Sequence, residues 1–151
     1  MLTDNFMYRV LATQIPMFWE AIKFACSKAD NIEAELYRPY FNELLQALLS
    51  DKAQCFVVLD NSRVLQRVII TRIVQDKLRG DSELMIQCMY SVTKASYEDV
   101  QKHFAIAVDT AKSLGCKRLT WKSSNPKIWE WAEMVGCFEQ TRIFSVNVGG
   151  A

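Results

Sequence analysis

The sequence predicts one α/β domain of the α+β kind, with a mixed but mainly antiparallel sheet flanked by helices. Three observations carry this. Apolar residues recur at helical spacing through the first 50 residues. Three β-branched or aromatic runs joined by short polar turns come next. The remainder runs helix, short strand, helix and closing strand, and a helical crossover joins parallel neighbours.

Each element has its own signal. Tyr8 to Ala12 is compatible with a short strand. Pro16 suits the first turn of a helix, which Met17, Phe18, Ala21, Ile22 and Ala25 extend to about Cys26. Ser27 to Asn31 reads as a polar connection, and Pro39 to Leu49 as a second helix with Phe41, Leu44, Leu45, Leu48 and Leu49 on one face. Gln54 to Leu59 and Arg63 to Val74 are strands joined by the Asp60-Asn61-Ser62 turn, and Glu83 to Val92 is a third. Strict alternation there puts Leu84, Ile86, Cys88 and Tyr90 on one face and Met85, Gln87, Met89 and Ser91 on the other. Ser96 caps a long helix, with Asp99 three residues later, and Gly115 ends it. Lys117 to Lys122 is a short strand, Pro126 to Val135 a short helix stopped by Gly136, and Phe138 to Val148 the closing strand. The whole of 1–151 reads as a single domain, with 1–50 as its helical N-terminal part and 54–148 as sheet and crossover helices.

Charge and composition exclude several functions. Half the residues are hydrophobic, and 18 Lys and Arg face 17 Asp and Glu. So even a balance gives no basic surface for nucleic acid or anionic membrane. Arg63, Arg67 and Arg72 share one strand, but Arg63 and Arg67 face opposite to Arg72 and make no stripe. No apolar run reaches the roughly 20 residues of a membrane span, and MLTDNFMYRV lacks a signal layout, so a cytoplasmic protein is expected. Five scattered cysteines and one histidine, with no C-x-x-C pair, predict buried reduced thiols and no metal site. His103 borders the apolar stripe of the long helix, as a partly buried packing residue. Trp129 and Trp131, two apart on a helix, cannot face one core; Trp129 is expected inside, clustered with Trp121 and Phe138.

The segment AKSLGCKRLTWKSSNPKIWEWAEMVGCFE resembles the C-terminal half of the GNAT N-acetyltransferase superfamily. In that family a long helix ends in Gly-Cys, a strand follows, and Asn opens a short helix that stops at Gly. Here these are Gly115-Cys116, Leu119 to Trp121, Asn125 and Gly136. The likeness covers roughly Gln54 to Val148, and it implies an acyl-CoA cleft where the fourth and fifth strands splay.

The resemblance also implies where site residues fall. The glycine turn that cradles pyrophosphate maps to Ala95-Ser96-Tyr97-Glu98-Asp99-Val100, with Glu98 and Val100 in the glycine positions. Two carboxylates would then face a bound phosphate. The tyrosine that protonates the departing thiolate maps to Ala132, leaving Tyr90 and Tyr97 as substitutes. Met89, Tyr90, Ser91 and Val92 would line the pantetheine arm, with Asn125 beside it, although Asn before Pro-Lys is also an ordinary helix cap. Glu83 and Gln87, at positions where some relatives place a base, read as surface residues.

These departures favour a GNAT-fold protein that has lost catalysis, needs no cofactor and acts by protein binding or self-association. In kind it is similar to compact GNAT-like internal virion or maturation proteins of bacteriophages, which would place it in a host cytoplasm or a virion. The alternative is a divergent, active N-acyltransferase that moves an acyl group from acetyl-CoA or another acyl-CoA to an amine. A nucleic-acid accessory role is the remotest reading.

Overall fold

The computed structural model describes residues 5–30, 32–123, 126–140 and 142–149. Strand β1 (Phe6–Val10) leads into helices α1 (Ile15–Asp30) and α2 (Tyr37–Leu49). Strands β2 (Ala53–Leu59), β3 (Leu65–Asp76) and β4 (Asp81–Ser91) come next, then α3 (Tyr97–Ser113), β5 (Arg118–Trp121) and α4 (Pro126–Met134). The strands lie side by side in chain order, antiparallel except for the parallel pair β4–β5 that the α3 crossover makes.

The sheet separates two apolar layers. Ile22, Ala25 and Cys26 of α1 and Leu44 and Leu48 of α2 pack on Cys55, Val57, Val68 and Ile70. On the opposite face Phe56, Ile69 and Ile86 meet Ile106 of α3, and Leu84 meets Ala111. Four cysteines are buried and all five are free, and the described residues hold no metal-ligating cluster. Burial, with Cys26 alongside, pushes the Cys55 thiol up to about 12.

Helix α3 begins and ends on the predicted residues. The Asp99 amide donates to Ser96 Oγ at 3.1 Å. At the other end Gly115 has φ +75°, the Cys116 amide donates to the Ala111 carbonyl and the Gly115 amide to that of Lys112. This is a Schellman closure. No atom crowds a Cβ at Gly115, so Gly115→Ala would suffer only the left-handed backbone penalty of about 1 kcal/mol. A melting temperature about 2–4 °C lower is the expected result.

Several expectations need correction. The connection drawn from Ser27 onward is helical through Asp30, because Ser27 Oγ donates to the Lys23 carbonyl and stays inside the helix. Arg63 sits in the turn at φ +61° rather than in β3. No closing strand forms among the described residues of 138–148, which take no regular structure and are all exposed. Phe138, 84% exposed, therefore leaves the tryptophans. Trp129 is also half-exposed, its indole N–H donating to the Ser123 carbonyl, whereas Trp131 turns inward. Glu83 is buried and paired with Arg118, not a surface residue.

Candidate functional site

The site is created by one extra residue in β4. Cys88 faces Ile70 and Ile86 faces Thr71, so Gln87 has no partner on β3 and forms a β-bulge. Its side chain is fixed on the α2 face: Oε1 accepts from Arg72 Nε at 2.9 Å, and Nε2 donates to Tyr40 Oη at 3.0 Å. Arg72 is itself held by Glu43, whose carboxyl this hydrogen bond keeps below its usual range.

The bulge has two consequences. Pairing of β4 with β5 runs from Glu83–Arg118 to Ile86–Trp121 and stops at the bulge, so no described strand pairs with the outer side of β4 beyond it. The alternation also reverses. Cys88 and Tyr90 join the α1–α2 layer, while Met89 continues the face of Ile86. The expected grouping of Leu84, Ile86, Cys88 and Tyr90 on one face is thereby corrected.

A cavity of about 430 Å³ opens at this divergence, between the sheet, α3 and α4. Ile69, Ile86, Met89, Phe104, Trp121 and Trp131 form its apolar wall. At the β3 end Arg67 is 3% exposed. Its Nε donates to Ser91 Oγ at 2.8 Å and its Nη1 to His103 Nδ1 at 3.1 Å. Nη2 lies 4.0 Å from Asp99 Oδ2 and has no hydrogen-bond partner among the described residues. His103 is buried rather than bordering the stripe, and burial together with the Arg67 charge lowers its pKa to about 4. With Nδ1 accepting from a guanidinium, its proton sits on Nε2 and it is no base for a ligand. Where the cavity meets a smaller recess, the exposed Lys94 and Lys127 stand together.

Met89, Ser91 and Val92 line the cavity. Tyr90 faces the other way and packs edge-on against Phe24 of α1, ring centroids 5.6 Å apart. Tyr97 stays on the cavity's side, bordering the recess, where its hydroxyl donates to the Met134 carbonyl at 3.1 Å. The two tyrosines are thus not brought together. Asn125 lies outside the described residues. Of the two carboxylates expected at the turn, only Glu98 faces solvent. Asp99 turns inward, accepting from Asn5 Nδ2 at 3.0 Å beside Arg67. Val100 is buried and contributes wall, not an approachable backbone.

The sequence reading missed Arg67 and the bulge. Arg67 differs from other strand arginines only by an environment that α3 supplies, and Gln87 fits an unbroken alternation equally well.

No protein-family model matches the sequence, and no curated protein matches it either. Solved structures do. A predicted acetyltransferase with acetyl-CoA from Clostridium acetobutylicum is 10% identical, TM-score 0.73, over 96% of this chain and 97% of that one. The aminoglycoside N-acetyltransferase AAC(6')-Iy in complex with CoA is 14% identical, TM-score 0.72, over 97% and 96%. AAC(6')-Ih from Acinetobacter baumannii is 11% identical, TM-score 0.70, over 97% and 100%. At such identities the likeness shows the fold, which is that of the GNAT acetyltransferases.

Proposed function

We propose that the chain is a divergent N-acyltransferase that moves an acyl group from acyl-CoA to an amine. The observation that carries this reading is the cavity itself. It opens where β4 leaves β5, and the bulge keeps it open although the glycine turn is missing. Solved structures of this fold named with CoA or acetyl-CoA bound favour it over the non-catalytic, phage-encoded reading of the sequence.

The residues present fit an acyl-CoA, which would bring an activated thioester on a long amide-bearing arm. The outer backbone of Met89 to Val92 offers hydrogen-bonding groups to the arm's amides, and Ile86, Met89 and Trp121 offer apolar wall. Lys94 and Lys127, which line both the cavity and the recess, offer positive charge to an anionic end. Neither candidate tyrosine lines the cavity: Tyr90 packs on Phe24 and the Tyr97 hydroxyl is engaged with the Met134 carbonyl, so the departing thiolate takes its proton from solvent. No carboxylate lines the cavity among the described residues, so the acceptor amine gives its proton to solvent.

Thermal melting with acetyl-CoA and with free CoA tests this. At ten times its dissociation constant a ligand adds about 1.4 kcal/mol, a rise of roughly 3–6 °C for a chain of this size. No shift at millimolar ligand would sink the transferase reading and return the chain to a binding or assembly role.

A further inference from the structure

A guanidinium stays protonated even when buried, so its charge and its N–H donors need acceptors there. Arg67 lines the cavity from β3 at only 3% exposure. Its Nε and Nη1 are satisfied by Ser91 Oγ and His103 Nδ1, both neutral acceptors. Nη2 is covered from solvent and has no hydrogen-bond partner among the described residues. Asp99 does not fill that place: its Oδ2 stays 4.0 Å from Nη2 and accepts from Asn5 Nδ2 at 3.0 Å. His103 Nε2, which carries the ring's proton, is likewise covered and unpartnered among the described residues. One cluster thus holds two buried donors without acceptors, which native interiors rarely tolerate.

The cavity wall has the matching bias. Its charged residues are Arg67, Lys94 and Lys127, and no carboxylate lines it among the described residues. Lys94 and Lys127 are exposed beside the recess, whereas Arg67 is buried, so its charge is separate from those offered to the anionic end of an acyl-CoA. A single buried cation matches a single negative charge, and a phosphate dianion would leave one charge uncompensated. The planar fork of a guanidinium suits a carboxylate. The apolar wall of Ile69, Phe104 and Ala107 keeps water out and strengthens such a pair.

We propose that Arg67 is a carboxylate-recognition residue, and that the ligand the cavity takes bears a carboxylate that pairs with Arg67 Nη2. With Nε and Nη1 tied down, a small turn of the guanidinium brings Nη2 to the ligand. The His103 Nε2 proton is offered to a second acceptor on the same ligand. The carboxylate site stands without the transferase reading; only the name of the ligand rests on it. On that reading the carboxylate belongs to the acyl group of a dicarboxylic thioester or to an amino-acid acceptor.

Calorimetric titration of the full chain with matched ligands is the test. Succinyl-CoA is compared with acetyl-CoA. Glycine, leucine and phenylalanine are compared with their amides, with and without free CoA. In one arm the carboxylate form is expected to bind about 10- to 100-fold tighter, the range for a hydrogen bond to a charged partner. A preference in the first arm identifies a dicarboxylic acyl group, and in the second an amino-acid acceptor. Arg67→Met keeps the stem and removes the fork, and is expected to abolish the preference while the melting temperature holds. Arg67→Lys is expected to keep a weakened preference, which locates the pairing even if Arg67→Met does not fold. Equal binding of charged and neutral forms in both arms would overturn the proposal. So would a preference that the variants retain in full, which would assign the carboxylate to Lys94 and Lys127. Acetyl-CoA binding with no carboxylate preference would leave the transferase reading standing alone, and amino acids that bind through Arg67 while no acyl-CoA binds would do the reverse.

Discussion

Between pH 6.5 and pH 4 the wild-type chain is expected to lose about 3 kcal/mol of stability through His103, and a His103→Gln variant to lose none of that share. The argument starts from geometry. His103 Nδ1 accepts from Arg67 Nη1, so a second proton would break that bond and set two cations side by side in a buried place. Burial is the largest cause of the lowered pKa, Arg67 the next, with Lys102 adding to them and Asp99 opposing. The folded value of about 4 lies below the ordinary 6.5, so the unfolded chain binds more protons in between. Stability from this group is therefore complete above pH 6.5 and falls away as the pH drops toward 4. Each unit of difference is worth about 1.4 kcal/mol. Glutamine keeps an acceptor for Arg67 and removes the titration. Urea unfolding of both proteins at pH 6.5, 5.5 and 4.5 gives the two slopes, and equal slopes would show that His103 is not the group.

Ala107→Phe is expected to weaken acetyl-CoA binding at least about 100-fold while leaving the fold intact, if the cavity is the ligand site. Ala107 is 3% exposed on the inner face of α3 and lines the cavity with Ile86 and Trp121. A phenyl ring there occupies space within the 430 Å³ that a ligand needs. Burying it contributes up to about 1.5–3 kcal/mol, offset in part by repacking strain. The melting temperature without ligand should hold or rise, whereas a substitution that merely damaged the core would lower it. Calorimetric titration supplies the affinity. Unchanged binding would place the ligand elsewhere.

Much of the fold is legible because its determinants are local. Ser96 caps α3 through the amide three residues on, and Gly115 closes it through bonds within the same turn. The β-branched and aromatic runs of β2 and β3 mark them as strands joined by the Asp60-Asn61-Ser62 turn, and the period change at residue 96 marks the crossover that makes β4 and β5 parallel.

The site resisted reading because it depends on groups far apart in sequence. Gln87 looks like one more polar position in an alternating strand, and only its lack of a partner on β3, held by Arg72 and Tyr40, makes it a bulge. That single unpaired residue sends Tyr90 away from the cavity and brings Met89 into it. Arg67 and His103 are 36 residues apart, and neither predicts the other. The closing strand fails for the opposite reason: its alternation is correct for a strand, but pairing needs an edge that local sequence cannot supply.

By itself, then, the sequence determined the order of the elements from α1 to α4 and the caps that bound α3, because hydrophobic period and capping act over a few residues. The tertiary structure alone decided where β4 parts from β5, that Tyr90 packs on α1 away from the cleft, and which charges are buried beneath it. Those follow from partners that meet only once the sheet has formed, and no window of sequence contains both.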